Sequence, residues 1–242
     1  MLTVYHGSTC SVEQPLAGVC RPNLDFGIGF YVTSLKEQAT RWALRTADLR
    51  HQTEAWLNIY LLDIEACHAA SYRYRHFESY DADWLDFVVA CRQGGALWQD
   101  YDMIEGGIAD DRVIRTIDLY IRGDYTREEA LTRLVHQEPN NQICIINQEI
   151  IERHLCFKES SRIQLINTKE TNPVPVDIAM QGKYYGIVEL LASRLHISKD
   201  KALDIFYNSG TYQRLTQQTG DLYLMSDFYI VDEVMRELQD KQ

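Results

Sequence analysis

The 242-residue chain lacks an excess of positive charge and has no long apolar run. It carries 24 lysine and arginine side chains against 35 aspartate and glutamate side chains, a formal net charge of -11 at pH 7. Because the electric field of a negatively charged protein repels the phosphates of nucleic acids, we expect no stable complex with nucleic acid. A nucleic acid that binds only transiently, as a substrate, is still possible. No apolar run approaches the ~20 residues that span a bilayer, and the first ten residues lack the basic and apolar regions of a secretory signal. We therefore expect a cytoplasmic protein with no membrane partner.

Metal-binding and redox spacings of cysteine and histidine are also missing. The six cysteines contain no C-x-x-C pair, and the seven histidines contain no H-E-x-x-H pattern. This usage predicts reduced thiols and no bound metal. Proline is scarce, with five in the chain, but Pro173 and Pro175 stand close together. Two prolines in three residues predict an extended linker over residues 169–176.

The composition is that of a globular protein, with 45% hydrophobic and 24% charged residues. Before the linker, short strand patterns alternate irregularly with short helix patterns, which predicts an α+β domain over residues 1–168. Capping boxes at Ser34/Glu37 and Thr126/Glu129 are predicted to open two of its helices. Strands are predicted at 2–5, 29–33, 56–64, 101–104, 142–146, 155–158 and 163–166.

After the linker the apolar pattern is helical only. Tyr184, Val188, Leu191 and Leu195 form one stripe at helical spacing. Ser198 and Ser226 are each predicted to cap the start of a later helix. Gly210 is predicted to end the helix that Ser198 begins. Residues 177–242 are therefore expected to form a small all-α module, which at about 65 residues is marginal alone and is expected to pack on the first domain or on a partner.

Three segments carry candidate functional residues, and each is weak by itself. His6-Gly7-Ser8 ends the first predicted strand, where a lone histidine is more often structural than functional. The segment 25–33, DFGIGFYVT, has two glycines before a strand and by itself predicts a β-turn that leads into the core. Asn141-Gln142 opens a strongly apolar strand.

Taken in order, these segments resemble the ADP-ribosyltransferase domain of the poly(ADP-ribose) polymerase and diphtheria-toxin type. Those enzymes line an NAD pocket with a histidine, a tyrosine and a glutamate from separate strands. Residues 5 to about 166 are more closely similar to an uncharacterised bacterial branch of that superfamily, through the ordered motifs YHGS, DFGxGFYxT, EQAxxWA, WLDFV, YDxxxGxxADDRV and NxQ. The resemblance implies a split β-sheet core and NAD as substrate, with no metal.

The resemblance also implies roles for single residues. His6 corresponds to the histidine that binds the adenosine-side ribose, and Ser8 is expected to hold the same ribose. The Gly7 backbone is expected to read the nicotinamide carboxamide. Tyr31 corresponds to the tyrosine at the nicotinamide, and Gly29 lies in the cofactor-binding turn before it.

Trp42, 11 residues after Tyr31, corresponds to a second ring at the nicotinamide. A cationic pyridinium between two aromatic faces would gain about 2 kcal/mol when desolvated. The alternative for Trp42 is ordinary burial in the core, because its spacing from Leu35 and Ala39 is helical.

Gln142 occupies the place of the superfamily's glutamate. An amide can accept a hydrogen bond from the ribose 2′-hydroxyl but cannot take up a proton, so His6, Tyr31 and Gln142 as the catalytic set imply transfer of one unit rather than chain growth. Asp110 and Asp111 either hold the acceptor or supply the missing carboxylate. As an alternative, Asp110 caps the helix that follows.

We therefore expect an NAD-dependent mono-ADP-ribosyltransferase of toxin or defence type, whose acceptor is a protein, a nucleic acid or a small molecule. One alternative is a non-catalytic module that binds NAD or ADP-ribose or serves as a scaffold. Another alternative is an NAD glycohydrolase.

The C-terminal module resembles a second uncharacterised bacterial family of small helical domains found beside or fused to such transferase-like domains. That pairing implies a toxin with a neutralising (antitoxin) or targeting partner. The matching segments are 197–203, Ser209-Gly210-x-Tyr212 and the final amphipathic helix.

Overall fold

The computed structural model of the chain describes residues 1–50, 52–107, 111–135, 140–164, 177–216 and 221–240. The chain divides into two compact units, Met1–Leu165 and Ile166–Gln242. The predicted linker 169–176 lies outside the described residues. No described helix is long and apolar enough to cross a membrane.

The first unit combines short strands with short helices. Its strands are β1 (Leu2–Ser8), β2 (Phe30–Val32), β3 (Ala55–Leu62), β4 (Tyr74–His76), β5 (Met103–Gly106), β6 (Gln142–Ile145) and β7 (Leu155–Ile163). Its helices are α1 (Lys36–Leu49), α2 (Ile64–Ala69), α3 (Ala82–Arg92), α4 (Asp111–Ile121), α5 (Arg127–Leu134) and α6 (Gln148–His154). The mixture agrees with the predicted α+β class.

The strands form two sheets that are connected by one backbone bridge among the described residues. The first has the antiparallel order β1-β3-β7, and the second has the order β2-β6-β5-β4, in which only the β5-β4 pair is parallel. Tyr5 of β1 bridges to Thr33, directly after β2, through two backbone bonds of 2.8 and 3.0 Å. This bridge places the chain around His6 next to the chain around Tyr31.

Strand β6 is buried on both faces of the second sheet. Cys144 packs among the residues of α3, α4 and α5, whereas Ile143 and Ile145 pack with the apolar residues of the first sheet. Because side chains alternate along a strand, a strand covered on both faces is apolar throughout. This explains the continuous apolar run that follows Gln142.

Most predicted strands are present, with two differences. The runs predicted at 155–158 and 163–166 belong, as far as they are described, to the single strand β7. Strand β4 was missed because it is only three residues long and its sequence, Tyr-Arg-His, has no apolar alternation.

One of the two predicted capping boxes is confirmed. Thr126 and Glu129 exchange both bonds, with Glu129 N donating to Thr126 Oγ1 at 3.2 Å and Thr126 N donating to Glu129 Oε2 at 2.8 Å. The box at Ser34 is wrong: α1 starts after Leu35 with no side-chain cap. The Ser34 hydroxyl instead donates to Asn141 Oδ1 at 3.1 Å, because a tertiary acceptor lies within reach.

The second unit is helical throughout its described residues. It consists of α7 (Asp177–Leu195), α8 (Lys199–Tyr207), α9 (Gly210–Thr216), a 3-10 turn at Asp221–Leu224 and α10 (Asp227–Asp240). Ser198 and Ser226 cap α8 and α10 as predicted, through Lys201 N and Tyr229 N. Gly210 was wrongly predicted to end a helix. It begins α9, and its N–H donates to Glu237 Oε2 at 2.8 Å.

One buried amide fixes the chain that leaves β1. Asn58 of β3 has no exposed surface, and its Nδ2 lies 3.3 Å from His6 O, 3.0 Å from Ser8 Oγ and 3.3 Å from Cys10 O. Its Oδ1 accepts from Val12 N at 2.7 Å. The path of residues 6–12 therefore depends on Asn58.

We expect Asn58→Ala to lower the free energy of unfolding by about 2 kcal/mol, because it removes the acceptor of Val12 N and a donor to His6 O, both in a part-buried region. Urea unfolding followed by tryptophan fluorescence measures this in the first unit alone, since all four tryptophans lie there, at 42, 56, 84 and 98. Gln93→Ala, at an exposed position of the same unit, is the control. Equal losses in the two variants would contradict the prediction.

Candidate functional site

His6 is fixed by a bond between the two sheets. Its Nδ1 lies 2.8 Å from Tyr31 O, and because a carbonyl only accepts, Nδ1 carries the proton. Burial lowers the pKa of His6 below the ordinary 6.5. The ring is therefore neutral at pH 7 and keeps a lone pair on Nε2. It lies against Phe30, with the ring centroids 4.6 Å apart and the planes tilted by 36°. Nε2 has no hydrogen-bond donor among the described residues, so it is available to a ligand hydroxyl.

Tyr31 is held at its hydroxyl end. The hydroxyl donates to Gly27 O at 2.6 Å and accepts from Phe26 N at 3.2 Å. Burial raises the pKa of Tyr31 well above its ordinary value of 10, so the phenol stays protonated. Gly27 has φ +75°, and a Cβ there would lie 2.1 Å from the Trp98 ring, so only glycine fits this turn. The bound hydroxyl suits Tyr31 to stacking rather than to proton transfer.

A buried ion pair holds the same turn. The Arg92 side chain is 6% exposed, and its Nε and Nη2 lie 2.8 and 2.7 Å from Asp25 Oδ1. Its Nη1 lies 3.5 Å from Asp118 Oδ1. Arg92 was not among the predicted site residues, but its position carries a signal in the sequence. It continues the buried stripe of Trp84 and Val88 at helical spacing, where a charge needs a partner.

Gln142 and Tyr31 share one face of the second sheet. Tyr31 lies opposite Cys144 in the β2-β6 pair, and Gln142, two residues before Cys144, points to the same side of β6. Gln142 Oε1 is buried and has no hydrogen-bond partner within the part of the chain that the structure describes. The structure thus brings the three predicted catalytic residues onto β1, β2 and β6, which are neighbours.

The predicted cofactor-binding glycines have packing roles. A Cβ on Gly7 would lie 2.0 Å from Ala39 O, so glycine lets α1 touch β1. A Cβ on Gly29 would lie 2.4 Å from Cys144 Sγ, so glycine lets the turn touch β6. The Ser8 hydroxyl is already bonded, because it donates to Cys10 O and accepts from the Asn58 amide of β3.

The remaining candidates are less closely tied to the site. Trp42 is 38% exposed on α1, so the interpretation of Trp42 as a core residue is wrong. It makes no ring contact with Tyr31, and their sandwich around a ligand stays a prediction. Asp110 lies outside the described residues, and Asp111 begins α4 with a side chain that is likewise outside them.

Asn141 joins the start of α1 to the start of β6, a role that its position before a strand did not reveal. Its Oδ1 accepts from Ser34 N at 3.2 Å, and its Nδ2 donates to Glu105 Oε1 at 2.7 Å. Its backbone oxygen accepts from Thr33 Oγ1 at 2.6 Å and from Gln38 Nε2 at 3.2 Å. Polar residues at the base of α1 are thereby held beside Gln142.

The fold and this site define an α+β domain with a neutral histidine, an anchored tyrosine and an unpaired glutamine on three neighbouring strands. The chain belongs to the protein family of unknown function DUF3990, whose family model matches residues 2–157 and so includes all three. No curated protein and no solved structure matches the chain. Across the described residues, no group of three or more histidine, cysteine, aspartate or glutamate side chains is arranged to hold a metal ion.

Replacing Arg92 should lower the free energy of unfolding of the protein. Arg92→Met leaves the carboxylate of Asp25 buried without this partner, and we expect a loss of about 3 kcal/mol in the free energy of unfolding. Arg127→Met removes an exposed pair with Asp86 and should cost less than about 1 kcal/mol. Urea unfolding of both variants measures the difference, and similar losses would argue against a structural role for the buried pair.

The lowered pKa of His6 predicts a pH dependence of stability. Below pH 6.5 the unfolded chain binds a proton at this residue more readily than the folded chain does. The stability linked to His6 is therefore complete above pH 6.5 and is lost as the pH falls below it. We expect wild type to lose more stability than His6→Gln between pH 7 and pH 5 in urea unfolding. His76→Gln, at an exposed histidine, should follow wild type.

Proposed function

We propose that this protein is an NAD-dependent mono-ADP-ribosyltransferase that moves one ADP-ribose unit to an acceptor still to be identified. The observation that carries the proposal is the placement of His6, Tyr31 and Gln142 on neighbouring strands, in the order that the resemblance implies. The two sheets, bridged at Tyr5 and Thr33, are compatible with the split-sheet core of ADP-ribosyltransferases. A role as a toxin or defence component, with the helical unit serving a neutralising or targeting partner, is part of the same proposal.

The free polar atoms of the site suit a neutral, hydroxyl-rich ligand. His6 Nε2 and Gln142 Oε1 both accept hydrogen bonds, so each fits a ribose hydroxyl. Tyr31, with its hydroxyl already bound, offers its ring to the nicotinamide. Loss of nicotinamide passes through an oxocarbenium-like sugar, and holding that sugar in one orientation is a large part of the catalysis.

Gln142 limits what can follow. An amide stabilises a hydroxyl but does not remove its proton, so an acceptor hydroxyl would not be activated here. The neighbouring strand β5 offers Glu105, but both of its oxygens are bound, Oε1 by Asn141 and Oε2 by Tyr74. Transfer of a single unit fits this arrangement better than chain growth.

The same observation favours a second candidate, a module that binds NAD or ADP-ribose without turnover. Glu105 is committed to Asn141 and Tyr74, and Gln142 carries no charge, so the site has the polar atoms for binding but lacks a base at this position. An NAD glycohydrolase, in which water takes the place of the acceptor, is a third candidate that differs only in its product.

Incubation of the full chain with adenylate-labelled NAD and a bacterial lysate tests these candidates. A labelled acceptor carrying one ADP-ribose unit, together with released nicotinamide, is expected for the transferase. Nicotinamide release without a labelled acceptor identifies the glycohydrolase, and NAD binding in calorimetry without release identifies the binding module. No label, no release and no binding would overturn all three.

Variants of the site should distinguish labelling by this protein from labelling by a contaminating enzyme. Tyr31→Ala removes the stacking ring and His6→Ala removes the ribose acceptor, and each should lower labelling at least about a hundredfold if both act in orienting the sugar. Tyr125→Ala, where the ring packs under Arg133 in the same unit, is the matched control and should keep full labelling. Equal labelling by Tyr31→Ala and the control would contradict the proposal.

A further inference from the structure

The side chain of Tyr31 is held at both ends by different parts of the first unit. At the backbone end, Tyr31 O accepts from His6 Nδ1 at 2.8 Å, and β2 pairs with β6. At the other end, the hydroxyl donates to Gly27 O at 2.6 Å and accepts from Phe26 N at 3.2 Å. The direction in which the ring points is therefore set by the position of the turn at residues 25–27 relative to β2.

Arg92, the last residue of α3, fixes that turn from a distant part of the chain. Its Nε and Nη2 lie 2.8 and 2.7 Å from Asp25 Oδ1, and its Nη1 lies 3.5 Å from Asp118 Oδ1 on α4. The side chains of Arg92, Asp25 and Asp118 are 6, 12 and 9% exposed, so salt and water screen these contacts little. Because the guanidinium is planar and rigid, its contacts with two carboxylates tie the turn to both helices.

The order of this turn bears on ligand binding. Tyr31 is only partly buried against the core, so part of its ring is open to a stacked ligand. A side chain that must be ordered when the ligand arrives weakens the affinity by about two- to tenfold, whereas a side chain ordered beforehand does not. Whatever holds the turn at residues 25–27 also keeps the Tyr31 ring ready for its ligand.

We propose that Arg92 is a positioning residue that raises the affinity for NAD by holding Tyr31 in its stacking orientation, through Asp25 and the turn. This inference rests on the proposed function, in which the Tyr31 ring stacks on the nicotinamide. Because Arg92 acts through the bond between the turn and the Tyr31 hydroxyl, its effect on NAD depends on that hydroxyl. A purely structural Arg92 would have the same effect with the hydroxyl or without it.

Calorimetric titration of the full chain with NAD, in a double-mutant cycle of Arg92→Lys and Tyr31→Phe, tests the inference. Arg92→Lys keeps a positive charge beside Asp25 but loses the rigid fork, and Tyr31→Phe keeps the ring but loses its bond to the turn. Each single variant should bind NAD about two- to tenfold more weakly than wild type. The double variant should bind NAD as Tyr31→Phe does, because the two changes break the same connection. Arg127→Lys, which alters an exposed two-nitrogen pair with Asp86, should bind NAD as wild type does.

The outcomes separate this inference from the proposed function. If wild type binds no NAD, the proposed function fails and this inference fails with it. If wild type binds NAD and Tyr31→Phe binds it equally well, only the positioning role is overturned, and this arm requires no change at Arg92. The positioning role is also overturned if Arg92→Lys binds NAD as wild type does, or if it weakens binding by the same factor with and without the Tyr31 hydroxyl. Should Arg92→Lys fail to fold, Asp25→Asn weakens the same pair from its other side and takes its place in the cycle.

Discussion

The bridge between Tyr5 and Thr33 is the contact on which the candidate site depends. Two backbone hydrogen bonds join the edges of two sheets that also share one apolar cluster. They bring β1 beside β2, which allows His6 to donate to Tyr31 O. Strand β2 in turn pairs with β6 and fixes Gln142 on the face of Tyr31. The bridge thereby helps to fix the position of the histidine relative to the other two residues.

Around the bridge, three polar side chains are bonded to protein groups, either backbone or side chain. Asn58 binds the chain after His6, Asn141 binds the start of α1, and Arg92 binds the turn below Tyr31. Each of these side chains satisfies groups that would be costly to bury unpaired.

The sequence was informative where a pattern depends on neighbours along the chain. Strand β6 was evident because a strand covered on both faces is a continuous apolar run, and the Thr126 box was evident because both partners lie within four residues. The order of motifs selected His6, Tyr31 and Gln142, whose catalytic role stays a prediction. Contacts distant in sequence were not visible: Ser34 prefers Asn141 to its own helix, and Arg92 and Gln38 find their partners only in the folded chain. The glycines were found for their motif, but their close contacts with α1 and β6 required the structure.

The pairing of β2 with β6 joins segments far apart in sequence, and 108 residues separate Thr33 from Asn141. Closing so long a loop carries a large entropic cost that only the finished core repays, so this pairing belongs to the non-local contacts that slow folding. The site consequently cannot exist in any nascent chain shorter than β6. A ribosome-bound or truncated fragment that ends before Gln142 holds the histidine and the tyrosine, yet it lacks the strand that orders them. For a protein proposed to act as a toxin, late assembly of the site would keep the nascent chain inactive until the ribosome has synthesised β6, the last strand of the second sheet.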